Sequence, residues 1–292
     1  MTPMDIRDRA HLSGEDIKRL NFIKESERYV FRKFYRSGLR SHIFEVLLAE
    51  DVEKETLGVV IGGIRMFPRA RPVKMFRIFR SRFRSIEEIF IEINRYKILM
   101  THLGADLIAR SEEFIADYRT DRTNRIVLCG LQEYIHGEIL DPWRISGREN
   151  LTALLSAMPH DLDADTRLIN ALESVRQFVA GIRALINATG YIPDLAGVGN
   201  LILTPGGGIK LVDINNIVDI RQNDGIYLDD KGYPACDVSI QVLSILETKL
   251  LGRAPSRPDP LFEHFLLPDR LKEVKAIERE FYRNLNNPRN SG

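Results

Sequence analysis

Apolar positions along this chain change period several times, and each change marks an element. Ser13, with Asp16 three residues on, suits the cap of a short helix running through Phe22. Tyr29–Tyr35 and His42–Ala49 then read as strands, with Ser37-Gly38 at the turn between them. Leu57–Phe67, carrying Gly62-Gly63, reads as a third strand-like run. From Ser85 to Leu103 the spacing becomes helical through Ile86, Ile89, Phe90, Ile93, Tyr96 and Met100, with Glu87 and Glu88 in the first turn. Glu113–Tyr118 and Arg125–Leu131 return to strand character. Leu151–Met158 predicts a short helix, and Asp163–Ala188 a long amphipathic one closed by Thr189-Gly190. Leu201–Leu203 and Ile209–Val212 are apolar runs split by T-P-G-G-G, the pattern of a hairpin, because glycine supplies the positive φ of a tight turn. Cys236–Leu246 predicts a buried helix, and Arg270–Leu285 a last amphipathic one.

The hairpin changes the picture most, because polar residues flank it. Asp194 and Asn200 lead into it and Asp213 leaves it. The second strand runs back antiparallel, so three oxygen-bearing side chains converge at one end. Hard oxygen ligands suit Mg²⁺, and a carboxylate can accept a hydroxyl proton. Composition adds bounds. The chain has 292 residues, 44% of them apolar, enough for one large or two-lobed unit with a sizeable core. A formal net charge of +1 gives no strong nucleic-acid signal. Cys129 and Cys236 lie far apart in apolar surroundings and read as reduced core thiols. With no leader-like run and no long apolar span, the expected location is cytoplasmic, with a peripheral membrane position as the alternative.

The stretch Asp194…Asn200, hairpin, Asp213-Ile214-Asn215 resembles the protein-kinase-like superfamily, in which a catalytic-loop Asp is followed by an Asn, a hairpin and a metal-binding Asp. N-L-I-L and I-K-L-V-D-I resemble the strands of that family. The loop departs from it in reading Tyr191-Ile192-Pro193-Asp194, without His, and in an Asp-to-Asn spacing one residue longer. The resemblance implies an α+β, two-lobed protein-kinase-like fold. Residues 1–133 would form a small lobe of antiparallel strands plus one helix, and residues 134–292 a mainly helical large lobe. It implies Asp194 as the catalytic residue, Asn200 and Asp213 as Mg²⁺ ligands, and ATP as cofactor. Glu92, inside the apolar stripe of its helix, would pair with a strand lysine that binds nucleotide phosphates. Val73-Lys74-Met75-Phe76 offers Lys74 for that role, and a rival register offers Arg65. Gln132-Glu133-Tyr134-Ile135 resembles the hinge, so backbone groups of Glu133 and Ile135 would hold adenine. Asp237 would bond backbone donors of the Asp194 loop.

The resemblance implies an ATP- and Mg-dependent phosphotransferase. The segment from Asp213 to Asp237 is short, and little chain remains after Gly252. Both points favour an atypical kinase acting on a sugar, lipopolysaccharide or other small molecule. The alternatives are a pseudokinase or nucleotide-binding adaptor without catalysis, and a protein Ser/Thr kinase. A separate feature is the stretch Arg65–Arg84, which holds eight basic residues and no Asp or Glu. It reads either as a solvated face or as a patch for an anionic partner or membrane surface.

Overall fold

The computed structural model describes residues 5–9, 11–25, 27–34, 40–120, 123–253 and 259–286. The Ser37-Gly38 turn lies outside them. The chain separates into two units, residues 1–93 with 110–134, and residues 94–109 with 135–292. The fold is α+β, one unit built on an antiparallel sheet and the other mainly helical. The sequence divides the chain once, at residue 134. In the structure the helix after the basic stretch contributes to both units, because residues 94–109 return to the second.

In the first unit Ser13 accepts a hydrogen bond from the Asp16 backbone and Asp16 reciprocates, a complete capping box. The helix it starts, α1 (Gly14–Lys18), is shorter than expected. Strands β1 (Tyr29–Lys33) and β2 (Ser41–Leu48) follow. A helix the sequence does not announce comes next, α2 (Ala49–Leu57), which has no side-chain cap and stops at Gly58 with φ 73°. The run read as one strand is a hairpin of β3 (Val59–Ile61) and β4 (Ile64–Met66), folded at Gly62-Gly63. Then come β5 (Lys74–Phe79), α3 (Ile86–Leu107), β6 (Ser111–Thr120) and β7 (Thr123–Glu133). Five strands form one antiparallel sheet in the order β1-β2-β5-β7-β6.

Alternation along these strands makes two apolar faces. Phe44, Val46, Phe76, Ile78, Val127 and Cys129 bury one face against Ile6, Leu12 and Ile17 of the N-terminal segment. Phe79 and Leu128 bury the other against Ile89 of α3. The N-terminal segment is also pinned by charge: Arg7 pairs with Asp5 at 2.8 Å and donates to the Ile126 carbonyl at 3.3 Å, while Arg125 also pairs with Asp5.

The second unit begins with the later part of α3, which is interrupted at Gly104 (φ 72°, ψ 173°), a conformation open to glycine. Strand β8 (Glu138–Ile139) follows, then α4 (Glu149–Ser156) and α5 (Ala164–Thr189). Asp163 caps α5 through the Thr166 N–H, and Gly190 ends it in the left-handed region. Val175, Phe178, Val179, Ile182 and Leu185 give α5 a fully buried stripe at the centre of this unit's core. Around it lie β9 (Tyr191–Pro193), β10 (Leu201–Leu203), β11 (Ile209–Leu211), β12 (Ile217–Asp219), α6 (Ala235–Ile245), α7 (Pro260–Phe265) and α8 (Pro268–Asn286). The expected hairpin is β10–β11, and β8 adds a third strand to it. The two cysteines are buried and unpaired. Burial, with the neighbouring Asp237 charge, pushes the Cys236 thiol up to about 12, so it stays protonated.

Candidate functional site

Two pairings position the Asp194 loop. Strand β9 runs antiparallel to β12, with Pro193 opposite Ile217, and so fixes the chain just before Asp194. The Asp194 N–H then donates to the Asn216 carbonyl at 2.7 Å, and the Leu195 N–H to Ser239 Oγ of α6 at 3.0 Å. Leu195 itself is fully buried. The turn back toward β10 depends on glycine. Gly199 sits at φ 100°, and a Cβ on Gly197 would lie 2.6 Å from Asn200 Oδ1. Trp143 Nε1 donates to the Ala196 carbonyl at 3.1 Å from outside the loop.

Within this cradle both carboxylate oxygens of Asp194 are held. Oδ1 accepts from the Ala196 N–H at 2.9 Å, and Oδ2 from Asn216 Nδ2 at 2.9 Å. Asn200 Nδ2 donates to the Asp194 carbonyl at 2.9 Å, which leaves its Oδ1 as the oxygen able to bind a cation. The Asn200 carbonyl accepts from the Val212 N–H at 2.8 Å, so Asp213 follows directly from a residue bonded to Asn200. The structure therefore joins Asp194, Asn200 and the Asp213 segment through an unbroken set of hydrogen bonds. Among the described residues none donates to the half-buried Asp213 carboxylate. Ile214 is fully buried in the core and anchors this segment, and the buried Asn215 Oδ1 has no hydrogen-bond partner.

The donor set is one carboxylate and amide oxygens, which suits a hard cation. Among the described residues no group of three His, Cys, Asp or Glu could hold a metal ion by itself. Tyr282 of α8 also senses this site. Its phenol is pushed up first by burial, then by the Glu278 and Asp194 carboxylates, against a lowering hydrogen bond from Tyr233.

The expected small-lobe residues fare differently. Lys74 shares its sheet face with Phe76 and Ile78, whereas Phe79, against Ile89 of α3, is on the other. Glu92 is half-buried on the Ile89 side of α3, so the structure does not bring Lys74 and Glu92 together. Arg65, the rival, is exposed on β4 outside the five-stranded sheet and donates to the Leu57 carbonyl at 2.7 Å. The cation on the side of β5 that faces α3 is Arg77. It stands opposite Gly130 of β7, which in turn stands opposite Glu113 of β6. Since Gly130 has no side chain, the Arg77 guanidinium reaches across it to Glu113 Oε1 at 3.2 Å, and Ser111 Oγ donates to the same oxygen at 2.8 Å. The Glu133 N–H is spent on the Arg110 carbonyl at 2.8 Å, and Ile135 lies in the irregular segment after β7.

One expectation is corrected outright. Asp237 does not serve the Asp194 loop, for its carboxylate is taken by Arg270 of α8, at 2.5 and 3.2 Å, with both side chains buried. Ser239, two residues on, supplies the hydrogen bond to the loop instead. Sequence reading also misses Asn216 and Arg77. Arg77 had a signal, since a lone charge in the apolar strand M-F-R-I-F needs a buried partner.

No protein-family model matches the chain, and no curated protein matches it. Among solved structures it is similar to the ROP18 kinase domain in complex with AMP-PNP and sucrose, at 11% identity over 89% of this chain and 83% of that one, with a TM-score of 0.35.

Proposed function

We propose that this protein is an ATP- and Mg²⁺-dependent phosphotransferase that passes the γ-phosphoryl group to a hydroxyl. The observation that carries this reading is the fixed Asp194 carboxylate, tied through Asn200 to the Asp213 segment at one end of β10–β11. Asp194 accepts the hydrogen bond of the acceptor hydroxyl and aims its oxygen at the phosphorus. Asn216 and the Ala196 N–H keep that carboxylate from rotating, which holds the acceptor in an attacking geometry. Asn200 Oδ1 and the Asp213 carboxylate are the protein oxygens for the cation. When bound, Mg²⁺ offsets the charge of the phosphate oxygens. The short connection from β12 to α6 provides little platform for a peptide. It favours a sugar, lipopolysaccharide or other small molecule as acceptor.

The second reading is a nucleotide-binding module without catalysis. It is favoured by Arg77, the cation of β5 on the side facing α3, being committed to Glu113. Thermal unfolding with and without Mg-ATP separates these readings from a purely structural role. Phosphotransferase and nucleotide module alike predict a rise in Tm that needs Mg²⁺ and disappears in Asp213→Ala. A ligand at a hundred times its Kd stabilises by about 2.7 kcal/mol, a visible shift. No shift at millimolar nucleotide overturns both. Asp194→Asn then divides them: it retains the shift in either case, and it abolishes turnover of an identified acceptor if the protein is an enzyme.

A further inference from the structure

The basic stretch is not a single patch in the folded chain. Arg77 is buried on Glu113, Arg80 donates to the Arg7 carbonyl at 3.1 Å, and Arg82 pairs with Asp8. Of the other exposed cations, Arg65 lies on the β3–β4 hairpin and Arg69 and Arg71 just after it, while Arg84 stands apart before α3. The hairpin ribbon pairs with no other strand among the described residues. Its register sets Val59, Ile61, Ile64 and Met66 on one face and Val60 with Arg65 on the other. Relative exposure reaches 60% at Val60, 61% at Ile61, 68% at Ile64 and 51% at Met66. Leu57 and Phe67, at the base, are 58% and 60% exposed. The turn glycines have positive φ, and nothing lies within 4 Å of where their Cβ atoms would stand. A two-stranded ribbon is marginal in water by itself, and a contiguous exposed apolar surface marks a contact.

Charge identifies what makes that contact. No Asp or Glu occurs from Thr56 through Ile86, and the tip from Val59 to Ile64 carries no charge at all. The exposed cations Arg65, Arg69 and Arg71 follow immediately at the base. Of the nearby acids, Asp51 is engaged by Lys54 and Glu55 by Arg32, and Arg69 lies within electrostatic reach of the Glu45 and Glu55 carboxylates, which leaves Arg65 and Arg71 as the cations for a partner. An uncharged tip above a cationic base matches the order of layers at an anionic bilayer, hydrocarbon boundary first and headgroup phosphate next. A protein surface would cover one face of the ribbon, whereas here apolar side chains occupy both faces at the tip.

We propose that the β3–β4 hairpin docks the protein on anionic membranes, with Val60, Ile61 and Ile64 entering the interfacial layer and Arg65 and Arg71 held at the lipid phosphates. This inference does not depend on the phosphotransferase reading. The test is co-sedimentation of the full chain with phosphatidylcholine vesicles, with and without phosphatidylglycerol. The wild type pellets with the anionic vesicles and less so as salt rises. Ile61→Asp/Ile64→Asp lowers the apparent affinity by about tenfold or more, and Arg71→Glu lowers it and flattens the salt dependence. All these positions are exposed, so Tm stays at the wild-type value. In Ile64→Trp, anionic vesicles shift the new indole emission to the blue. Absence of anionic binding, binding unaltered in Ile61→Asp/Ile64→Asp, or no blue shift overturns the proposal. A vesicle-free dimer lost in the same double variant also overturns it, in favour of a second copy as occupant.

Discussion

The chemistry of the candidate site rests on a carboxylate whose two oxygens are each given a donor. A free aspartate samples several rotamers, and only some point an oxygen at an acceptor hydroxyl. The Ala196 N–H and Asn216 Nδ2, each at 2.9 Å, select one. Asn216 is buried, and its own carbonyl receives the Asp194 N–H, so a single residue fixes both ends of Asp194. Asn216→Ala removes the side-chain half of that grip and leaves the backbone half. The expected outcome is a fall in kcat of about ten- to a hundredfold, with the Mg-ATP shift in Tm retained. Steady-state kinetics on an identified acceptor, beside the thermal measurement, check this. An unchanged kcat would reduce Asn216 to a packing residue.

Strand pairing decides what individual charges can do in the sheet. Arg77, Gly130 and Glu113 form one row across β5, β7 and β6, and the bare glycine lets two buried charges meet. Arg77 Nε and Glu113 Oε2 stay without partners in that row, so the pair is incompletely compensated. Glu113→Ala strands the guanidinium in the sheet and should destabilise by about 3–5 kcal/mol in urea unfolding. Arg77→Met/Glu113→Leu removes both charges and should recover most of that loss. If the single variant unfolds at the wild-type midpoint, the ion pair does not hold the sheet. Sequence pattern locates β1, β2, β6 and β7, because alternation is a local property; β5 is located only through the resemblance of Val73-Lys74-Met75-Phe76, and the run Leu57–Phe67 lies outside this sheet. Pattern could not say that Arg77 and not Lys74 faces α3, because that depends on which face the helix covers.

For the molecule as a whole, pH acts through the attachment of the N-terminal segment to the sheet. His42 is 4% exposed, and burial, aided by the Arg80 and Lys33 charges, depresses its pKa from 6.5 to about 4. Between those values the unfolded chain binds a proton that the folded chain does not. Stability therefore falls as pH drops from 6.5 toward 4 and is level above that window, a loss of about 3 kcal/mol at full extent. Asp5 acts lower. Burial alone would raise it, but hydrogen bonds from Arg7 and Arg125 overcome that and hold it well below the usual carboxylate range. Its contribution is present above the unfolded value of 3.8 and is lost as pH falls beneath it. Urea midpoints from pH 7 to pH 4 should decline in the wild type and decline less in His42→Phe. An equal decline in both would remove His42 as the cause.

The sequence by itself determined the periodic elements, the capping box at Ser13, the glycine end of α5 and the β10–β11 hairpin, since each depends on neighbours within a few residues. It also set the order Asp194, Asn200, Asp213 around that hairpin. Helix α2 escaped it, having no side-chain cap at its start, and so did the short strands β8, β9 and β12, which exist only because a distant partner supplies their hydrogen bonds. The tertiary structure alone decided that Asp237 belongs to Arg270, that Ser239 and Asn216 serve the Asp194 loop, and that Val60, Ile61 and Ile64 stay in solvent. The reason is physical. Local spacing fixes which residues share a face, but what that face meets is set by segments tens of residues away.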